Sequence, residues 1–274
     1  MKFLGSGKVK DVYDLEDGTL LFKFSDRVSA YDVKFADPIP RKGEVLCKFA
    51  EFWFNKLPVQ NHFVRLRSAN EVIVRKMKMI PVECVVRGYF YGSLITRWKE
   101  GQITLPSDTV TEIAAKLPRP IFDPTTKSEH DEPLNRETAI ERSLVTEQEY
   151  SWLESKSIQI YNMMYEVADR AGFILADLKL EFGKLDNKII LGDSIGPDEY
   201  RMWPKDGYAV GKIQESYDKQ ILRDWLTANG YQKQFEDARK KGEEPVAPPI
   251  PEEIIRKMSE RYVISYEKIT GKHL

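Results

Sequence analysis

The stretch Asp177-Leu178-Lys179-Leu180-Glu181-Phe182-Gly183 is the most informative in the chain. In an extended strand successive side chains point to opposite faces, so Asp177, Lys179 and Glu181 share one side while Leu178, Leu180 and Phe182 pack on the other. A turn signal at Asp186-Asn187 follows, and then an apolar run, Ile189-Ile190-Leu191, that ends in Gly192-Asp193. Pairing about residue 187 would set Glu181 opposite Asp193. Two carboxylates facing each other across a hairpin repel unless a cation lies between them. A hard cation held by carboxylates and phosphate oxygens is how magnesium usually meets a nucleotide. A single charged strand is more often the solvated face of an ordinary hairpin, but the Leu-Gly-Asp ending of an apolar strand tips the balance toward a metal pair at Glu181 and Asp193.

Working outward, the N-terminal 80 residues read as strands punctuated by turns. Runs 8–15 and 19–25 flank Glu16-Asp17-Gly18, a hairpin signal, and runs 62–67 and 71–79 flank Ser68-Ala69-Asn70. Between them Leu46, Phe49, Ala50, Trp53 and Leu57 recur at helical spacing until Pro58 closes the run. Residues 118–135 hold four prolines among Thr, Ser and charged residues, which predicts an exposed, mobile loop. Thr146 and Glu149 make a capping-box pattern for a long helix with Leu153, Ile160, Met164 and Ala168 on its apolar stripe, and Gly172 stops it. Helical patterns recur around 221–226 and 254–269, joined by a stiff Pro-rich connector at 245–251. The predicted class is α+β in two lobes with a cleft: 1–80, an antiparallel β lobe with one helix, and 81–274, a larger α+β lobe.

Composition narrows the function. Across 274 residues, 42 Lys and Arg against 43 Asp and Glu give a net charge of −1, without the positive excess that a nucleic-acid or membrane-surface binder needs. Cys47 and Cys84, and His62, His130 and His273, lack zinc-ligand spacing. No apolar run reaches the roughly 18 residues of a membrane span, and the first residues lack the long apolar region of a signal peptide, so the expected location is the cytoplasm. The sequence leaves the oligomeric state open, a homo-oligomer included.

Two further signals point to phosphate. Gly5-Ser6-Gly7-Lys8-Val9-Lys10 offers a glycine turn for backbone amides and two lysines at alternate positions. It is no Walker A loop, since Lys2 stands where the first glycine should be, and it is closer to a hairpin flap over ATP. The apolar strand 81–86 runs into Arg87 and a glycine-rich turn ending Gly92-Ser93, a setting in which a guanidinium fork and small residues hold phosphate or carboxylate. Arg201 could complete that anion site, while Arg97 and Lys99 read as ordinary surface residues.

Five blocks taken in order, 7–13, 25–32, 81–87, 177–183 and 191–198, closing on Tyr266-Glu267-Lys268-Ile269-Thr270-Gly271-Lys272, resemble the SAICAR synthetase (phosphoribosylaminoimidazole-succinocarboxamide synthase) family over nearly the whole chain. The resemblance implies a two-lobed α+β fold of antiparallel sheets and helices, related to ATP-grasp enzymes and protein kinases, with an ATP cleft between the lobes. It implies a ligase of purine biosynthesis that joins L-aspartate to the carboxylate of carboxyaminoimidazole ribonucleotide (CAIR), with ATP becoming ADP and phosphate and Mg2+ as cofactor. By position it puts Gly7, Lys8, Lys10, Lys76, Met79 and Lys179 on ATP, the catalytic roles on Lys179, Lys8 and Asp177, and the metal on Glu181 and Asp193. Ser29, Arg87, Ser93, Lys127, His130, Asp131 and Arg201 fall to the other substrates, with Arg87, Ser93 and Arg201 on the CAIR phosphate. Tyr200 stands where the family usually has Ser, and the loop 122–132 departs from the common forms. Rival readings are a small-molecule kinase or another carboxylate–amine ligase using the same site, and a nucleotide-binding regulator without turnover.

Overall fold

The computed structural model describes residues 1–128 and 131–274. His130, expected at the substrate site, lies outside the described residues. The chain divides into two compact units, one made of Met1–Lys76, Ser194–Asp198 and Ser216–Leu274, the other of Met77–Asp193 and Glu199–Glu215.

The first unit opens with β1 (Lys2–Ser6), β2 (Lys10–Asp14) and β3 (Thr19–Phe24), then a small ribbon of β4 (Ser29–Ala30) and β5 (Val33–Lys34), α1 (Lys42–Lys56), β6 (Phe63–Ser68) and β7 (Glu71–Arg75). Five of these strands make an antiparallel sheet in the order β1-β2-β3-β7-β6. The expected Glu16-Asp17-Gly18 turn joins β2 to β3. Glu16 and Gly18 take left-handed backbone angles, and the Asp14 and Asp17 carboxylates accept the amide N–H groups of Glu16 and Thr19. Helix α1 buries Val45, Leu46, Phe49, Ala50, Trp53 and Phe54, and Leu57 turns extended ahead of Pro58 as sterics require. The run 71–79 is not one strand: β7 stops at Arg75, and the chain passes at Met77 into the second unit.

The second unit holds β8 (Lys78–Tyr89), α2 (Ser93–Lys99), β9 (Lys116–Phe122), β10 (Thr125–Thr126), α3 (Arg136–Glu141), α4 (Glu147–Arg170), β11 (Phe173–Leu185), β12 (Lys188–Leu191) and β13 (Tyr200–Pro204). Strands β8 and β11 pair along most of their length at the centre of the sheet, with β12 and β13 on the far side of β11 and β9 and β10 on the far side of β8. Helix α4 lies on β8 and β11. Its Thr146–Glu149 capping box is present, a device worth about 1 kcal/mol, and it buries Leu153, Ile160, Met164 and Ala168. The Tyr161 hydroxyl donates to Leu175 O at 2.7 Å, and Trp152 meets Phe182 edge to face at 5.5 Å.

Among the described residues of 118–135, 118–122 and 125–126 are strand and not the mobile loop that the prolines suggested. Pro118 and Pro120 lie in β9, which pairs only with β8, and Thr125 and Thr126 bond back to Val82 and Glu83. An edge strand tolerates proline because the missing N–H faces away from the ladder.

The remaining helices, α5 (Gln220–Ala228), α6 (Tyr231–Lys240) and α7 (Glu252–Thr270), belong to the first unit. A division of the chain at residue 80 is therefore corrected, because α7 packs on α1, with Phe49 against Tyr266 at 5.3 Å. Lys42, which is wholly buried, reaches Asp198 at 3.1 Å, Lys219 approaches the same carboxylate at 3.5 Å, and the Tyr262 hydroxyl donates to it at 2.9 Å. Among the described residues no helix is long and apolar enough to cross a membrane. Cys47 and Cys84 are free and buried.

Candidate active site

Strand β11 carries the polar residues as alternation predicts, but its acidic face is not solvated. Asp177 and Glu181 are each 6% exposed, and a carboxylate that deep needs partners. Each has them.

At the β11 end nearer its start, Asp177 stands opposite Arg87 of β8 and Arg201 of β13 in register. Its Oδ2 accepts from Arg87 Nη1 at 3.1 Å and pairs with Arg201. Arg87 also donates from Nη2 to Ser93 Oγ and from Nε to Asp123 Oδ2, both at 3.0 Å. Asp123 in turn pairs with Arg97, so Arg97 is a buried member of the cluster and not the surface residue that the sequence suggested. Burial alone would raise the Asp177 carboxyl, but the Arg201 and Arg87 charges outweigh it and hold the group below the usual carboxylate range. Gly92 lets Arg201 in: a Cβ there would stand 2.8 Å from the Arg201 guanidinium.

Four residues further along β11, Glu181 faces Glu83 of β8. Lys179 Nζ lies beside both carboxylates, 2.8 Å from Glu83 and 3.5 Å from Glu181. Lys127 pairs with Glu181 as well. Burial would lower the Lys179 ammonium, yet the Glu181 and Glu83 charges overrule it and raise it above the ordinary lysine value.

The expected pairing of Glu181 with Asp193 is corrected by one residue. The ribbon runs Phe182↔Leu191 and Gly183↔Ile190, and Gly192 N donates to Glu181 O at 2.9 Å, so Gly192 is the residue opposite Glu181. In a continuing strand that slip would turn Asp193 to the other face. The strand stops at Leu191, however, and Asp193 adopts a left-handed conformation with φ of 54°. Its charge still acts on Glu181, whose carboxyl is raised by burial first and by Asp193 second. Met77 fills the space over both glycines of the ribbon: a Cβ on Gly192 would meet its Cε at 1.9 Å, and one on Gly183 its Sδ at 2.7 Å.

Among the described residues no group of three or more His, Cys, Asp or Glu side chains could by itself hold a metal ion. Two hard carboxylates close enough for one to perturb the other, with the remaining positions left to phosphate oxygens and water, match the way Mg2+ binds.

The other expected residues each have surroundings of their own within their unit. Gly7 closes the β1–β2 hairpin by donating to Lys10 O at 2.8 Å. Lys8 sits in that loop and not on a strand, so alternation does not align it with Lys10; it is exposed and pairs with Asp32. Lys10 is buried, its ammonium 3.2 Å from Ser194 Oγ and over the rings of Phe22 and Phe24. Lys76 pairs with Asp14 at 2.6 Å, Ser29 is buried in β4, Met79 is half-buried in β8, and Asp131 is exposed. Tyr200 is buried at the start of β13, opposite Leu178. Sequence reasoning missed Glu83, Asp123 and Arg97. Glu83 stands alone as an acid inside the apolar run 81–86, and that was the available signal.

A model of the SAICAR synthetase family matches residues 3–238. The chain is 69% identical over 274 residues to the phosphoribosylaminoimidazole-succinocarboxamide synthase of Nitrosopumilus maritimus, with all of both chains covered. The chain belongs to the SAICAR synthetase family. The synthase of that name from Candida maltosa is 39% identical over 98% of this chain and 94% of its own. Among solved structures, the Saccharomyces cerevisiae SAICAR synthase complexed with SAICAR superposes with a TM-score of 0.84 at 34% identity, covering 99% of this chain and 95% of that one. A SAICAR synthetase in complex with ADP gives 0.75 at 26% identity, covering 100% and 99%. As a SAICAR synthetase family member the chain is a ligase of purine biosynthesis.

Proposed function

We propose that the chain joins the amine of L-aspartate to the carboxylate of CAIR by way of an acyl phosphate, with the roles of individual residues as follows. A carboxylate is a poor acceptor for an amine because it has no adequate leaving group. Its oxygen attacks the γ-phosphorus of ATP, ADP departs, and the amine then attacks the acyl carbon, expelling phosphate and leaving an amide. No covalent enzyme group is needed, so positioning and charge neutralisation carry the catalysis.

In this reading Arg87, Ser93 and Arg201 hold the CAIR phosphate, and Asp177 sets the two arginines. Gly7, Lys8, Lys10 and Lys76 of the first unit, with Met79 and Lys179 of the second, are assigned to ATP. Lys179, kept charged by Glu181 and Glu83, offers a fixed positive charge to the phosphoryl group in transfer. Glu181 and Asp193 would hold the magnesium, which when bound neutralises phosphate charge. Lys127 occupies Glu181 in this structure and would have to yield it. Ser29, Lys127, His130 and Asp131 are assigned to aspartate and CAIR. Kinship with ATP-grasp enzymes and protein kinases, an ATP cleft and a cytoplasmic location belong to the same reading.

The observation that carries it is the buried polar face of β11, where two clusters of opposite purpose lie four residues apart. One is rich in arginine and suited to an anion, and the other presents carboxylates suited to a metal. The test is ADP formation with ATP, Mg2+, CAIR and L-aspartate, omitting each in turn. ADP release that persists without aspartate or CAIR would point to a kinase or hydrolase, and ATP binding without turnover to a regulator.

A further inference from the structure

The anion cluster extends beyond the residues that would touch an anion. Asp123 is 1% exposed, and its two oxygens are divided between two arginines: Oδ2 takes Arg87 Nε at 3.0 Å, and Oδ1 pairs with Arg97. Arg87 is thereby held at three nitrogens by three separate pieces of chain: Nε by Asp123 after β9, Nη1 by Asp177 on β11 and Nη2 by Ser93 at the start of α2. A guanidinium is planar and carries five N–H groups. Three such partners fix both its plane and its rotation in that plane, and leave one N–H on each Nη nitrogen for a ligand.

The charges are arranged as deliberately as the geometry. Arg87, Arg97 and Arg201 face Asp123 and Asp177, which leaves one positive charge uncompensated in the cluster. Without Arg97, Asp123 would still orient Arg87 but would cancel its charge. Buried side chains act on one another across little solvent, so that loss would be felt directly at the anion.

We infer that Asp123 and Arg97 are positioning residues for the phosphate-binding arginine: Asp123 sets the plane of Arg87, and Arg97 offsets the charge that Asp123 brings. The inference rests on the reading of Arg87 as a CAIR-phosphate ligand. Neither residue touches substrate in it. Both act through Arg87.

The test measures KM for CAIR, KM for ATP, kcat and thermal midpoint in Asp123→Asn, Arg97→Met, Arg97→Lys and Arg87→Ala of the full chain. Asp123→Asn is expected to raise KM for CAIR about tenfold with KM for ATP within about twofold, as misaligning one ligand does. Arg97→Met should also raise KM for CAIR, and Arg97→Lys, which restores the charge without the fork, should recover most of that loss. A lowered thermal midpoint in Asp123→Asn with unchanged KM for CAIR would make Asp123 a support of the fold and overturn the inference. Should Asp123→Asn fail to fold, the Arg97 pair decides: no rise in Arg97→Met, or no recovery in Arg97→Lys, overturns it equally. Arg87→Ala separates the two levels. If it leaves KM for CAIR unchanged, the phosphate-site reading itself is wrong, whereas a large rise there beside silent Asp123 and Arg97 variants removes only the positioning roles.

Discussion

Substituting Gly92 with alanine probes the anion site without replacing any residue assigned to substrate. Gly92 has φ 61° and ψ −141°, a region that residues with a Cβ avoid at a cost of about 1–3 kcal/mol. The added Cβ would also lie 2.8 Å from Arg201 Nη2 and 3.0 Å from Arg201 Cζ. A guanidinium at the end of a flexible side chain usually swings clear of such a contact. Here Arg201 is tied to buried Asp177 and lies against the Tyr91 ring at 5.8 Å, so swinging clear leaves Asp177 short of one charged partner, a further loss of about 1–3 kcal/mol. Gly101 is the control: its φ is 71°, yet a Cβ there meets nothing within 4 Å, and Gly101→Ala should cost only the conformational part, about 1–2 kcal/mol. Urea unfolding of the two variants should therefore differ by roughly 1–4 kcal/mol. Displacing Arg201 should also raise KM for CAIR roughly tenfold or more in Gly92→Ala, as the loss of one charge-assisted contact does, with KM for ATP little changed. If the two variants are equally stable and equally good at binding CAIR, the contact between Gly92 and Arg201 does not set the site.

Glu181→Gln and Asp193→Asn should each cut Mg2+-dependent ADP formation by orders of magnitude while circular dichroism and the thermal midpoint stay near those of the parent; near-normal activity in either rejects the metal assignment. At Asp198 burial would raise the carboxyl, but Lys219 and Lys42 outweigh it and hold it below the usual range. A depressed folded-state pKa stabilises fully above the unfolded value of about 3.9 and loses that stabilisation as the pH falls through the folded value. Asp198→Asn should thus cost about 3–5 kcal/mol at neutral pH by stranding buried Lys42, with a smaller gap from the parent in urea unfolding at about pH 3; an equal gap at both pH values refutes the linkage. Burial pushes the Cys47 thiol up to about 12 and raises Cys84 as well, so neither should react with a thiol reagent at mildly alkaline pH until the chain unfolds. Rapid labelling of the folded protein would contradict their burial.

Much of the fold was legible where one local rule acts alone. The Asp-Gly hairpin, the Thr146–Glu149 capping box and the alternation of β11 each depend on a few neighbouring residues, and each is present. Three things were not legible, the first set by the geometry of a turn and the other two by distant residues. The ribbon after β11 pairs one residue short of the expected register because the turn holds Asp186 and Asn187, both left-handed, between Leu185 and Lys188. Pro118 and Pro120 looked like loop residues because nothing local announces that β8 will present an edge to receive them. Helix α7 joins α1 of the first unit although residues 57–251 lie between them in sequence, a choice made by packing and invisible to periodicity.

The candidate site was legible in its types more than in its pairs. Asp177, Lys179, Glu181 and Arg87 were all singled out, but their partners were reached only through strand order: Glu83 lies across from Glu181 because β8 neighbours β11, and Asp123 meets Arg87 because the chain after β9 returns beside β8. Short polar helices such as α2, α3 and α6 carry too few apolar repeats to reveal a period.

The account turns on phosphoryl transfer to the CAIR carboxylate, and heavy-oxygen labelling of that carboxylate follows the transfer atom by atom. An acyl phosphate route passes one labelled oxygen from CAIR into the inorganic phosphate released with each SAICAR formed. Phosphate that emerges without label, while the amide forms at the normal rate, would contradict it.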